Sequence, residues 1–167
     1  LFNGLTGGNI RTGNWPGVTV EKREGIYKNN NKDVTIVDLP GIYSFSAYSE
    51  DEKISRDYIL SDEPNIIINI IDGTNLERNL YLTTQIIEMK VPVIIVVNMM
   101  DIAEKKNIKI NLDELSKQLS LPVIGISAIN KNDINNLKEV ILKYIDNPVI
   151  SSAEVEYPNE MERVISS

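Results

Sequence analysis

Three short groups of residues in this 167-residue chain put oxygen and nitrogen donors where chemistry could be done, and each follows a run of strand-forming residues. The first is Asp38-Leu39-Pro40-Gly41, directly after Thr35–Val37. In an open parallel sheet ligands gather beyond the carboxyl ends of the strands, so Asp38 stands where a metal ion or a phosphate would bind. Gly41 lets a backbone N–H approach a phosphate with no Cβ in the way. Read alone, the tetrapeptide is equally a strand that ends in a Pro-Gly turn. The second is Asn98-Met99-Met100-Asp101, after Pro92–Val97. An ionised carboxylate accepts two hydrogen bonds from the N1–H and exocyclic amine of guanine, whereas adenine offers an acceptor at N1 and no amine. The adenine mismatch would leave a buried carboxylate unpaired, a discrimination of roughly 10⁴-fold. A helix cap or Asx turn explains the same residues when they are read alone. The third is Ser127-Ala128, after Pro122–Ile126. Here the Ala128 N–H can reach guanine O6 while Ser127 braces the loop, although a Ser-Ala dipeptide by itself carries no signal.

Their arrangement carries more than any one of them. Asp38, Asn98 and Ser127 close three different strands, in the chain order that a guanine-nucleotide site requires. Upstream, Gly13-Asn14-Trp15-Pro16-Gly17-Val18-Thr19 reads as an irregular loop. Thr19 at its end could give a hydroxyl to Mg²⁺ and an N–H to a γ-phosphate, so that the loop orders with a triphosphate and relaxes after hydrolysis. A plain turn feeding a strand accounts for this segment equally well.

Composition narrows the chemistry further. The chain has no cysteine and no histidine, which excludes disulfides, thiol nucleophiles, Ser-His triads and the commonest transition-metal ligand. Catalysis must use carboxylates, a bound metal ion, lysine or aligned backbone dipoles. The net charge of −7, with no dense basic cluster, argues against nucleic acid as a partner. The longest apolar runs, Ile66–Ile71 and Val91–Val97, are far short of the ~20 residues that a membrane-spanning helix needs.

The elements that must position these residues follow from periodicity. Leu1–Gly7 reads as a helix ended by Gly7 or Gly8. Val18–Tyr27 and Val34–Val37 read as an antiparallel hairpin, and Ser49 with Glu52 as a capping box opening a helix through Leu60. Ile66–Ile71 is a strand covered on both faces, followed by helix Leu76–Met89 and strand Pro92–Val97. Asn111 with Glu114 caps a short helix ending near Leu119; Pro122–Ile126 is a strand and Ile134–Ile145 a helix. The βαβαβα succession predicts an α/β fold, a doubly wound and mostly parallel sheet with helices on both faces. Residues 1–147 form one domain, 148–156 a linker, and 157–167 the start of a following helical domain.

With these segments in place the chain resembles the cytosolic G domain of the bacterial ferrous-iron transporter B (FeoB) family. The resemblance is carried by Gly13-Asn14-Trp15-Pro16-Gly17-Val18-Thr19-Val20-Glu21, Asp38-Leu39-Pro40-Gly41-Ile42-Tyr43-Ser44, Asn75-Leu76-Glu77-Arg78-Asn79-Leu80-Tyr81-Leu82 and Asn98-Met99-Met100-Asp101. It implies a P-loop GTPase fold of the Ras-like type that binds GTP and GDP with Mg²⁺, hydrolyses GTP, and drives or regulates ferrous iron uptake. That uptake runs through a membrane domain beyond this segment, at the cytoplasmic face of the bacterial plasma membrane. Its further implied partners are a C-terminal helical domain, that membrane domain and a small cytosolic accessory protein of the iron-transport system.

By position, Thr19 would be the catalytic and Mg²⁺-binding residue of the first switch, with Gly17 and Val18 lining the nucleotide. Asp38 would hold Mg²⁺ through water, Leu39 and Pro40 would line the nucleotide, and Gly41 would contact the γ-phosphate. Asn98, Met99, Met100 and Asp101 would form the guanine-reading segment, and Ser127 with Ala128 would complete the base pocket. Two features depart from Ras-like enzymes. Ile42 stands after Gly41 where a water-orienting glutamine is usual, so intrinsic turnover is expected to be slow. No segment matches G-x-x-x-x-G-K-[ST]; the chain is expected to begin just past that loop, without a central first strand. The isolated segment is therefore expected to be unstable and to bind GTP weakly. The potassium dependence that the resemblance brings with it would reside in an asparagine of the same loop. A translation- or ribosome-associated GTPase and a non-hydrolysing partner-binding module are the alternatives.

Overall fold

Gly7 takes the left-handed conformation (φ 64°) and donates its N–H to Asn3 O, which ends helix α1 (Phe2–Thr6) one turn after it begins. The computed structural model describes residues 1–29, 32–45 and 49–153. The helix expected from residue 157 lies outside them. After α1 come β1 (Ile10–Asn14), β2 (Glu21–Lys28) and β3 (Asp33–Asp38), an antiparallel sheet in the order β1-β2-β3. Arg23 lies opposite Asp38 in its register. A Cβ on Gly25 of β2 would come within 2.5 Å of Thr6 Cγ2, so this glycine is what lets α1 lie directly on the sheet.

The second half of the chain alternates. Helix α2 (Glu50–Leu60), β4 (Ile67–Asp72), α3 (Leu76–Glu88), β5 (Val93–Asn98), α4 (Met100–Lys105), α5 (Leu112–Leu119), β6 (Val123–Gly125) and α6 (Lys131–Asp146) follow in order. β4, β5 and β6 pair in parallel with β5 in the centre, and the register sets Asp72 beside Asn98 at one edge. The caps are the ones the sequence signals. Ser49 accepts from the Glu52 N–H at 3.2 Å, and Asn111 accepts from the Glu114 N–H at 3.0 Å.

β5 explains why the sheet is doubly wound. Val93, Ile95 and Val97 join a core with Ile71, Leu80 and Leu115. Ile94 and Val96 point the other way, into a core with Leu5, Leu137 and Ile141. All five are buried, each contributing on the order of 1.5–3 kcal/mol. The second core also takes in Val34 and Ile36 of β3, so both sheets rest on the α1 and α6 layer. A buried polar pair locks α3 to β4, with the Thr83 hydroxyl donating to Asn69 Oδ1.

Four details differ from the sequence reading. Gly13 and Asn14, expected in a loop, belong to β1, because Ile10–Asn14 finds a complete antiparallel partner in Glu21–Gly25. Val18 and Thr19, expected to open a strand, lie in the turn before β2. The segment after Asn98 forms helix α4 rather than an open loop. β4 is covered unevenly: Ile67, Asn69 and Ile71 are buried on one face, while on the other Ile68 is half-buried against the second core and Ile70 is 48% exposed, on a strand paired on one side. The stretch 148–152 has no regular structure, but Tyr144 Oη donates to Val149 O and Ser151 Oγ to Leu119 O.

Candidate functional site

The residues expected to read the base are brought together by the ends of β5 and β6. β5 delivers Asn98, and Met99 then turns the chain with a left-handed backbone (φ 60°) as the N-cap of α4. That conformation is disfavoured for a side chain of this kind, by about 1–2 kcal/mol. It is held because the Met99 N–H donates to Asn98 Oδ1 at 2.8 Å. The sharp turn brings Asp101 into the first turn of α4. From the other side, β6 ends at Gly125, where a Cβ would come within 2.8 Å of Leu112 Cδ1 and 3.2 Å of Met100 Cγ. Gly125 therefore makes the room in which Met100 packs and α4 starts.

Hydrogen bonds stitch the two loops together. The Met100 N–H donates to Ile126 O at 3.2 Å, the Asp101 N–H to Ser127 Oγ at 3.3 Å, and the Ala128 N–H to Asn98 Oδ1 at 3.1 Å. Asn98, Asp101, Ser127 and Ala128 are thus one constellation. The Ser127 hydroxyl beside it holds the Asp101 carboxyl below its ordinary range against the opposing effect of burial, helped by the N–H groups of Ile102 and Asp101 and by the charge of Lys105. It is therefore an ionised acceptor, the form that guanine recognition needs. A cleft of about 490 Å³ borders it, lined by Met100, Asp101, Glu104, Asn107, Ile108, Lys109 and Ser127.

The second half of the site is backed by α2. Gly17 has φ 77°, the Val18 N–H donates to Trp15 O, and the Trp15 N–H to Val20 O, so Gly17, Val18 and Thr19 sit on one closed turn with Thr19 exposed. Trp15 is its anchor. It is buried, meets the edge of Tyr58 in α2 at 5.2 Å between ring centroids, and has Lys22 Nζ 4.9 Å over its ring. Burial, with Glu63 and Glu24, pushes the Tyr58 phenol above its usual value and keeps it neutral. The Asp38–Gly41 loop rests on the same helix, since Ser55 Oγ donates to Pro40 O at 3.3 Å. Leu39 packs on the core. Past Ile42, Arg78 in the first turn of α3 stacks on Tyr43 at 4.5 Å, so this loop reaches the end of α3 where β4 delivers Asp72. A Cβ on Gly41 would meet nothing within 4 Å among the described residues.

Asp38 and Thr19 supply a carboxylate and a hydroxyl. Among the described residues no three acidic side chains converge to hold a metal unaided. Two hard oxygen donors suit Mg²⁺, which usually completes its shell with water and substrate phosphate oxygens. Arg23 lies 3.7 Å from Asp38, and both are well exposed, a pairing worth about 0–1 kcal/mol that a cation can displace.

Two contributors escaped the sequence reading. One is the Trp15–Lys22–Tyr58 stack, because contacts between distant aromatic residues leave no local pattern. The other is Asp133, whose carboxylate accepts from the Ser127 N–H at 2.8 Å; an acidic residue in the first turn of α6 was its only signal.

The fold is that of a G domain, the α/β nucleotide-binding unit of P-loop GTPases. Among solved structures, the cytosolic domain of the T. maritima FeoB iron transporter in its GDP form II aligns with a TM-score of 0.87 at 39% identity, over 97% of this chain and 64% of that one. The same domain in its GMPPNP form gives 0.85 at 38% identity, over 97% and 64%. A family model described as "Ferrous iron transport protein B" matches residues 1–141, and the chain belongs to that family. The Fe(2+) transporter FeoB of Escherichia coli K12 is 46% identical over 162 residues, which is 95% of this chain and 21% of that protein. The chain therefore spans about a fifth of the length of that relative.

Proposed function

We propose that this chain is the guanine-nucleotide-binding and GTP-hydrolysing domain of a ferrous-iron transporter at the cytoplasmic face of the bacterial plasma membrane, where it drives or regulates uptake through a membrane domain. The observation that carries the reading is the stitching of Asn98 and Asp101 to Ser127 and Ala128. It presents an ionised carboxylate and a backbone N–H from one rigid frame. The Asp101 carboxylate accepts from N1–H and the 2-amine, the Ala128 N–H is shared between Asn98 Oδ1 and O6, and the Asn98 amide supplies a further donor. Met99 is exposed beside them and offers an apolar surface to the base.

Thr19 and Asp38 would hold Mg²⁺ together with the phosphates, and Gly17, Val18, Leu39 and Pro40 would line them. When bound, Mg²⁺ supplies positive charge against the charge that builds on the transferred phosphoryl oxygens. The backbone N–H groups of Thr19 and Gly41 donate to the same oxygens. Because Ile42 has no polar atom to orient water, hydrolysis is slow, and water is placed by the backbone of the Gly17–Thr19 turn. That turn and the Asp38–Gly41 loop share α2, through Trp15 and Pro40, so release of the γ-phosphate loosens both against one helix. Phosphate release from GTP by the full-length protein tests this. It is expected to require Mg²⁺ and to fall at least tenfold in T19A, as removal of a transition-state contact does. Turnover unchanged in T19A would refute the assignment.

A further inference from the structure

Two consecutive peptide planes in the loop after β6 are each held at both ends. In the first, Ile126 O accepts from the Met100 N–H at 3.2 Å and the Ser127 N–H donates to Asp133 Oδ2 at 2.8 Å. In the second, Ser127 O accepts from the Asn130 N–H at 2.8 Å and the Ala128 N–H donates to Asn98 Oδ1 at 3.1 Å. A peptide unit is planar and trans, so fixing one end fixes the direction of the other. Asn130 and Asn98 orient the plane that carries the Ala128 N–H, and Asp133 pins the plane before it, so that the chain can swing about Ser127 only as far as both planes allow.

Of those grips, Asp133 is the only side chain not already placed in base reading. It is also not needed by its own helix. The orphan amides of the first turn of α6, Asn132 N–H and Asp133 N–H, are satisfied by Asn130 Oδ1 at 2.9 and 3.3 Å. In an ordinary capping box the third helical residue reaches back to the N-cap amide. Here that amide is taken by Ser127 O, and the half-buried carboxylate of Asp133 reaches on to Ser127.

We propose that Asp133 is a positioning residue for purine recognition: its carboxylate, through the Ser127 N–H, aims the Ala128 N–H at the 6-oxo group of the base. This rests on the guanine reading of the site. An anionic acceptor at 2.8 Å makes a charge-assisted bond, and its loss frees the chain at Ser127 and leaves the Ser127–Ala128 plane held by Asn130 and Asn98 alone, while Asp101 still reads the 2-amine.

The test is equilibrium binding of GDP, IDP, 6-thio-GDP and ADP to the full-length protein and to D133A, D133S and D133N. IDP keeps the 6-oxo group and lacks the 2-amine. 6-Thio-GDP keeps the 2-amine and replaces the 6-oxo group with a weak sulfur acceptor. D133A and D133S are expected to lose about tenfold in affinity for both GDP and IDP, and under about threefold for 6-thio-GDP, the size of one charge-assisted hydrogen bond. D133N retains an oxygen acceptor and is expected to stay within about threefold of wild type for all of them. A fall of equal size for GDP, IDP and 6-thio-GDP, no fall in D133A or D133S, or a D133N as impaired as D133A would each overturn the role of Asp133. A wild-type protein that binds ADP as tightly as GDP would instead overturn the guanine reading beneath it.

Discussion

The backbone N–H of Asp101 donates to the hydroxyl of Ser127 at 3.3 Å, across 26 residues of sequence. The same hydroxyl is the leading cause of the lowered pKa of the Asp101 carboxyl. A carboxyl whose pKa is depressed on folding favours the charged form. Its contribution is complete above the ordinary carboxylate range and is lost as pH falls through the lowered folded value. GDP affinity is therefore expected to hold steady down through the usual carboxylate range near pH 4, and to fall only below it. In S127A the acid limb of the affinity-versus-pH curve moves to higher pH. Identical limbs in the two proteins would show that the hydroxyl does not tune Asp101.

Gly125 sets the spacing between β6 and the start of α4. The Cβ of G125A would crowd Leu112 Cδ1 at 2.8 Å and Met100 Cγ at 3.2 Å. Overpacking of this kind costs about 1–3 kcal/mol, and here it also displaces the residue next to Asp101. Chemical denaturation of G125A is expected to show that loss together with weaker GDP binding. A destabilised variant with wild-type affinity would show that α4 absorbs the strain away from the base.

Trp15 is the sole tryptophan of the chain, and it is buried with no hydrogen-bond partner for Nε1 among the described residues. W15A is expected to lose about 3–5 kcal/mol of stability, as large-to-small core changes do. W15F keeps the ring against Tyr58 and gives up no hydrogen bond, so its loss is expected to be below about 1.5 kcal/mol. Urea unfolding of both variants measures the difference. Equal losses would mean that the indole N–H is bonded after all.

How far the sequence reveals this protein depends on the range of the interactions involved. Local signals were sound: Ser49 with Glu52, Asn111 with Glu114 and Gly7 each end or begin a helix where the residue types indicate. Strand ends were legible too, so Asn98 and Ser127 could be placed at the tips of β5 and β6 before any coordinates. β1 was not, because Ile10–Asn14 lacks alternation and is a strand only through its pairing with β2. α4 was missed for a related reason. A left-handed Met99 is held by the side chain of the residue before it, Asn98, which Ala128 in turn fixes from 30 residues away, and not by its own propensity. The exposure of Ile70 is not legible in Ile66–Ile71, because a run that is apolar but for Asn69 says nothing about which neighbours a strand has. Asp133 looked like an ordinary helix-start acid, since its bond to Ser127 depends on how the loop closes in space.

Base selectivity rests on Asp101 reading guanine from a frame made by two strand ends. Competition among GDP, XDP and ADP for the full-length protein and for D101N tests this most directly. Wild type is expected to favour GDP over ADP by several kcal/mol, roughly 10⁴-fold. In D101N the side-chain amide can donate to the 2-oxo group of xanthine, so the variant is expected to prefer XDP to GDP. A wild type indifferent to the base, or a D101N that still prefers GDP, would contradict the account.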